Sequence, residues 1–212
     1  MKARTLSALA LVSLLGAAPA SAQGAPPAAA PLALGSTMPL ADARLKNVDG
    51  KEVTLAGVKG KKGTLVVFTC NACPWAKKWE ARVTKIGNDA TRIGFGVVAI
   101  NSNDPAKNAE DGFNVMQARA RQRGMKFAYV VDGTSDLARA FGASRTPEAF
   151  LFDAAGKLVY HGTIDDNADD AKKVTRPYLQ DAVQAVSRGK DVATAQTKAL
   201  GCGIKFRGKT AS

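Results

Sequence analysis

The chain has 212 residues, 46% of them hydrophobic and 23% charged, with a formal net charge of +12 and three cysteines. Three cysteines are too few to staple a small scaffold, and the odd number leaves one thiol over unless it pairs between chains or exchanges. Lys and Arg are spread along the chain and interleaved with Asp and Glu, and Arg119, Arg121 and Arg123 fall on different faces of a helix. The basic balance therefore reads as a solvated surface and not as a nucleic-acid stripe.

The first residues carry an export pattern. Lys2 and Arg4 precede an uninterrupted apolar and small stretch, Leu6 to Leu15, and Ala20-Ser21-Ala22 supplies the small residues of a signal-peptidase site. The apolar run is shorter than the about 20 residues that span a bilayer. A signal peptide over 1–22 is expected, against the plain alternative of a buried N-terminal helix. The mature chain is then periplasmic or secreted, without stable membrane insertion, in a compartment that permits disulfides. Residues 23–35, uncharged and rich in Ala and Pro, read as a linker. The remainder, 36–212, is expected to form one domain.

A hairpin is predicted first, Arg44–Val48 and Glu52–Leu55 about an Asp49-Gly50 turn. Thr64–Thr69 is a continuous apolar run, as for a strand buried on both faces. Trp75, Trp79, Val83 and Ile86 then recur at helical spacing. A second buried strand, Phe95–Ile100, precedes a helix over Phe113–Arg123 and a third strand over Phe127–Val131. After a short helix, Leu137–Phe141, a hairpin joins Ala149–Asp153 to Lys157–His161 around Ala154-Ala155-Gly156. Tyr178–Val186 is the last helix. Parallel strands joined by helices and closed by an antiparallel hairpin imply an α/β sandwich.

Cys70 and Cys73 fall where the first core strand turns into a helix, and Pro74 suits a first helical turn because its missing N–H needs no partner there. Cys-x-x-Cys sites at helix N-termini have thiol pKa values of roughly 3.5–7.5, against about 8.5 for free cysteine. A thiolate attacks a disulfide and a neighbouring thiol resolves the mixed disulfide. Cys70, earlier in the chain and expected nearer solvent, is expected to attack, and Cys73, one turn in, to resolve. Pro74 stands where c-type haem attachment needs histidine, which excludes that chemistry. A zinc site could draw on Cys70, Cys73, Cys202 and His161, but it lacks a second close ligand pair. Arg145-Thr146-Pro147 enters a strand, where proline is tolerated at the start. A cis Thr146-Pro147 peptide would account for it, an ordinary trans turn being the alternative.

With these residues in view, FTCNACPW, AINSND, TPEAFLFD, YHGTIDD and GCGIKF together resemble the redoxin (alkyl-hydroperoxide-reductase and thiol-specific-antioxidant) type of thioredoxin-like protein, from about Ser36 to Phe206. The resemblance implies a three-layer α/β/α sandwich with a central mixed sheet, an N-terminal hairpin and an inserted helix and strand at Phe113–Val131. It implies a redox dithiol at Cys70 and Cys73 and a partner-binding loop at Thr146 and Pro147. Trp75 and Trp79 themselves read as packing residues of the first helix, with Trp75 alternatively bordering the dithiol. No cofactor or resident metal is implied. The implied partners are protein or small-molecule thiols and disulfides, with a protein electron donor or acceptor. Departures are evident too. Thr69 replaces the tryptophan many thioredoxins carry before the first cysteine, Thr64 stands in place of a buried acid, and Asn71-Ala72 replaces Gly-Pro. The peroxiredoxin pattern P-x-x-x-T-x-x-C fits neither Cys70 nor Cys73.

Thiol–disulfide exchange is therefore the expected activity. A thiol peroxidase and a metal-binding module or metallochaperone are the alternatives. Cys202, between two glycines, is either a third exchange thiol carried back on an added edge strand or an idle one. His161 is expected at the surface, the acidic run Asp165, Asp166, Asp169 and Asp170 in a capped, solvated loop, and Asn101-Ser102-Asn103-Asp104 capping a turn near the active face.

Overall fold

The computed structural model describes residues 30–208. The expected signal peptide and the first part of the expected linker lie outside these residues. Nine strands occur among them: β1 (Leu45–Asn47), β2 (Glu52–Val53), β3 (Gly63–Phe68), β4 (Gly96–Asn101), β5 (Ala128–Val131), β6 (Arg145–Thr146), β7 (Glu148–Asp153), β8 (Leu158–Gly162) and β9 (Cys202–Gly203). The helices are α1 (Leu55–Val58), α2 (Pro74–Arg92), α3 (Phe113–Arg123), α4 (Asp136–Phe141) and α5 (Tyr178–Ser187).

Seven strands make one mixed sheet in the order β2-β1-β5-β4-β3-β7-β8, while β6 and β9 pair separately. β3, β4 and β5 run parallel, and β7 returns antiparallel against β3. The central strands read as unbroken apolar runs because both faces are covered. From β3, Val66 and Phe68 enter a core with Ile100, Phe141 and Phe150, whereas Leu65 and Val67 pack with Trp79, Val83 and Leu179. Helices α1 and α4 thus cover one face and α2 and α5 the other, completing three layers. Among the described residues no helix is long and apolar enough to cross a membrane.

Three expectations need correction. The second hairpin strand ends at Val53, because the Thr54 hydroxyl accepts the Gly57 N–H and caps α1, which starts at Leu55. Residues 30–35, expected as linker, lie against the domain: Leu32 N–H donates to Phe141 O and Gly35 N–H to Leu158 O. His161 is buried, 4% exposed, since its ring stacks on Phe150 at 4.5 Å and Nε2 meets Glu148 Oε1 at 2.6 Å. The other elements fall within a residue or two of their expected bounds.

Candidate active site

The turn from β3 into α2 positions the dithiol. Cys73 is the N-cap of α2, with Pro74 behind it, so the sulfur nearest the helix N-terminus is that of Cys73 and not Cys70. Both residues are buried, 5% and 4% exposed. Facing them, Thr146 precedes Pro147 through a cis peptide. Its Oγ1 lies 3.2 Å from Cys70 Sγ, and its carbonyl oxygen accepts from Cys73 Sγ at 3.2 Å. Cys202 packs against the same group of Cys70, Cys73 and Ala76. The expected residues Cys70, Cys73, Thr146, Pro147 and Cys202 are therefore together. Trp75, 37% exposed, stands at the start of α2 beside Trp79 and under Lys78 Nζ.

The sulfurs set each other's acidity. Hydrogen bonding from Cys70, helped by Cys202, the Ala76 N–H and Thr146, draws the Cys73 thiol down to about 4 in spite of its burial. The same Cys70–Cys73 bond, with burial and the charge of Asp111, pushes the Cys70 thiol up. The Thr146 carbonyl contact pulls the other way, because a carbonyl oxygen only accepts and so favours a protonated Cys73. Several donors and the helix end outweigh that single acceptor, so the pair as a whole is set to carry one negative charge. The pair gives up one proton easily and the second with difficulty, as two coupled groups do.

Asp111, from a short 3-10 turn before α3, was not singled out in the sequence. It is 2% exposed, and its Oδ1 accepts the Asn71 N–H at 2.7 Å, the Ala72 N–H at 3.3 Å and Asn101 Nδ2 at 3.3 Å. Oδ2 accepts Asn103 Nδ2 at 2.9 Å. The two residues between the cysteines thus hang on one carboxylate. Tyr129 Oη donates to Asn71 Oδ1 and Arg119 Nη2 to Asn71 O. Arg119 also pairs with Glu80, which Arg123 shares, so these two arginines hold α3 to α2 and are not merely a solvated surface. The signal available was Asn101 and Asn103 at the end of β4: two amides beside a dithiol need an acceptor.

Glu148 follows the cis-proline directly. Its Oε2 accepts the Ser144 and Arg145 N–H groups, and Oε1 meets His161, so a buried carboxylate fixes the loop that carries Thr146. Of the acidic run, Asp165 is buried between Trp79 Nε1 and Arg82, while Asp166 and Asp170 cap turns. Among the described residues no group of three or more His, Cys, Asp or Glu is arranged to hold a metal ion.

The redoxin family model matches residues 33–200. A hypothetical protein from Sinorhizobium meliloti, known from its crystal structure, is 38% identical, with a TM-score of 0.76 over 83% of this chain and 96% of that one. A protein named thiol-disulfide oxidoreductase ResA, from Geobacillus thermodenitrificans, is 27% identical over 60% of this chain and 67% of its own length. A putative thioredoxin from Neisseria meningitidis, at 21% identity, shares the fold with a TM-score of 0.53 over 72% of this chain and 91% of that one.

Proposed function

This chain belongs to the redoxin family and has a thioredoxin-like fold, and we propose that it is a thiol–disulfide oxidoreductase in which Cys70 attacks and Cys73 resolves. The observation that carries the reading is the pair of sulfurs at the start of α2, each within 3.2 Å of an atom of Thr146. Its likeness to the ResA protein supports the same activity.

Cys70 borders a small interior gap with Thr69, Glu80, Met125 and Tyr129, and both cysteines lie against Thr146 and Cys202. Both cysteines are equally buried, and in this reading a partner disulfide is attacked by Cys70, the first of the pair. The one proton shared by the pair settles on Cys73, which donates a hydrogen bond to Thr146 O, and the Thr146 hydroxyl turns toward the Cys70 thiolate. Cys70 Sγ then attacks one sulfur of the partner disulfide, forming a mixed disulfide and releasing a thiolate, which takes up a proton. Cys73 loses its proton and attacks Cys70 Sγ, which frees the second partner thiolate and leaves a Cys70–Cys73 disulfide. The reverse sequence oxidises a dithiol. Pro147 and Trp75 border the partner's approach. The export pattern of residues 1–22 supports a periplasmic or secreted place of work.

The test is trapping with a disulfide-bonded protein. Cys73→Ser is expected to accumulate a mixed disulfide at Cys70, and Cys70→Ser is not. Trapping only in the Cys70→Ser protein would reverse the assignment. No reversible Cys70–Cys73 disulfide in the intact chain would end the oxidoreductase reading.

A further inference from the structure

The C-terminal segment is built into the site. β9 pairs antiparallel with β6, with Cys202 opposite Thr146 and Gly203 opposite Arg145. Directly opposed residues in such a pair bring their Cβ atoms to about 4.5–5.5 Å. Residues on both sides pin the strand. Ile204 N–H donates to Ser144 O, and Lys205 N–H donates to Asn103 Oδ1. Arg145 Nη1 reaches Gly201 O, and Ile204 is buried in the core. Gly201 allows the approach, since a Cβ there would lie 2.1 Å from Thr146 O. The result is a cluster of three thiols: Cys202 packs against Cys70 and Cys73. Cys70 and Cys73 are buried, and Cys202 is part-exposed.

Resting on the oxidoreductase reading, we propose that Cys202 is a third redox residue, which takes over the disulfide from Cys70 and carries it to the outer side of the site. After the partner has been reduced, the Cys70–Cys73 disulfide has Cys202 Sγ beside Cys73 Sγ. Cys202 loses its proton and attacks Cys73 Sγ. The Cys73–Cys202 bond forms, the Cys70–Cys73 bond breaks, and Cys70 leaves as a thiolate that takes up the proton. The protein's two-electron oxidation state is unchanged, so the partner's disulfide is the only oxidant required. The geometry gives this exchange two consequences. Cys70 is regenerated as a thiol while the protein remains oxidised, and the disulfide to be reduced next includes a sulfur that solvent reaches. Pairing with β9 also occupies the β6 edge, so a partner peptide meets the site beside the tail and does not add a strand at Thr146.

The experiment oxidises the intact chain with oxidised glutathione, quenches it in acid, blocks free thiols and maps disulfides by mass spectrometry. Two isomers are expected, Cys70–Cys73 and Cys73–Cys202. Cys70→Ser is expected to close a Cys73–Cys202 bridge, seen as a 2 Da loss. Gly201→Ala, by displacing the tail, is expected to lose that bridge and keep Cys70–Cys73. A Cys70–Cys73 disulfide with no trace of Cys73–Cys202, in the intact chain and in Cys70→Ser, would overturn the role of Cys202 and leave the oxidoreductase reading standing. Absence of both bridges would overturn both. Because the first arm uses the unaltered chain, a variant that fails to fold does not blunt the test.

Discussion

Replacing Asp111 by Asn separates what this carboxylate does for the fold from what it does for the dithiol. The fold loses one acceptor. With the amide oxygen kept at the Oδ1 position, the bonds from Asn71, Ala72 and Asn101 survive, and the new NH2 faces Asn103 Nδ2. Asn103 cannot turn its amide without giving up the Lys205 N–H that its oxygen accepts. One buried donor is left unpaired, which costs about 1–3 kcal/mol. Against a total stability on the order of 5–15 kcal/mol the variant stays folded. Urea unfolding is expected to show a lower midpoint at unchanged slope.

The dithiol responds in the opposite sense. Cys70 is pushed up first by its bond to Cys73, next by burial, and then by the negative charge of Asp111. Removing that charge lowers the Cys70 thiol pKa. The assay is the rate of Cys70 alkylation by iodoacetamide against pH, in a Cys73→Ser, Cys202→Ser background where only this thiol titrates. Asp111→Asn is expected to shift the profile to lower pH, so reactivity at neutral pH rises while stability falls. A purely scaffolding Asp111 would lower stability and leave the profile in place. A profile that stays fixed or moves to higher pH refutes the electrostatic argument.

Three further outcomes are expected. Thiolate absorbance of the reduced intact chain should rise by a single thiolate well below the ordinary cysteine range, with no second one until high pH; two thiolates appearing together would contradict the coupling of Cys70 and Cys73. His161→Phe leaves Glu148 Oε1 without its partner in a position 1% exposed, and leaving a buried hydrogen-bonding group unsatisfied costs about 1–3 kcal/mol. Urea unfolding reads the loss, His161→Phe with Glu148→Gln should recover part of it, and an unchanged midpoint would refute the pairing. Trp75→Ala should raise KM for a protein disulfide with kcat nearly unchanged, because the ring is exposed at the start of α2, two residues after Cys73; a fall in kcat alone would move Trp75 from partner contact to positioning.

The parts of this fold that were legible are those where one physical demand acts locally. β3 and β4 are continuous apolar runs because helices cover both faces, and Cys73-Pro74 marks a helix start because of what proline lacks. Helix α1 escaped because four residues make no periodic pattern, although Thr54, three residues before Gly57, was a usable cap signal. His161 looked like a surface residue because its partner lies across a hairpin: Phe150 stands opposite it in register, and Glu148 is two residues further along the same strand. Asp111 carried no local mark at all. Its four donors come from Asn71, Ala72, Asn101 and Asn103, and only the insertion's return to the sheet brings them within reach.

The site is thus assembled from segments that local pattern cannot join: the β3–α2 turn, the turn before α3, the β6–β7 loop and the tail. Each contributes something the others lack. The helix end stabilises a charge, Asp111 limits how far that charge spreads to Cys70, and Thr146 offers a donor to one sulfur and an acceptor to the other. Glu148 and His161 keep that residue in place from below. The tail, expected as an added edge strand, is the most consequential contributor. Ile204 is buried in the core and β9 pairs with β6, which packs Cys202 against the dithiol. A dithiol with only two sulfurs must surrender its disulfide from the same buried position where it was made. In the proposed exchange, the third sulfur separates the place where electrons leave from the place where they return.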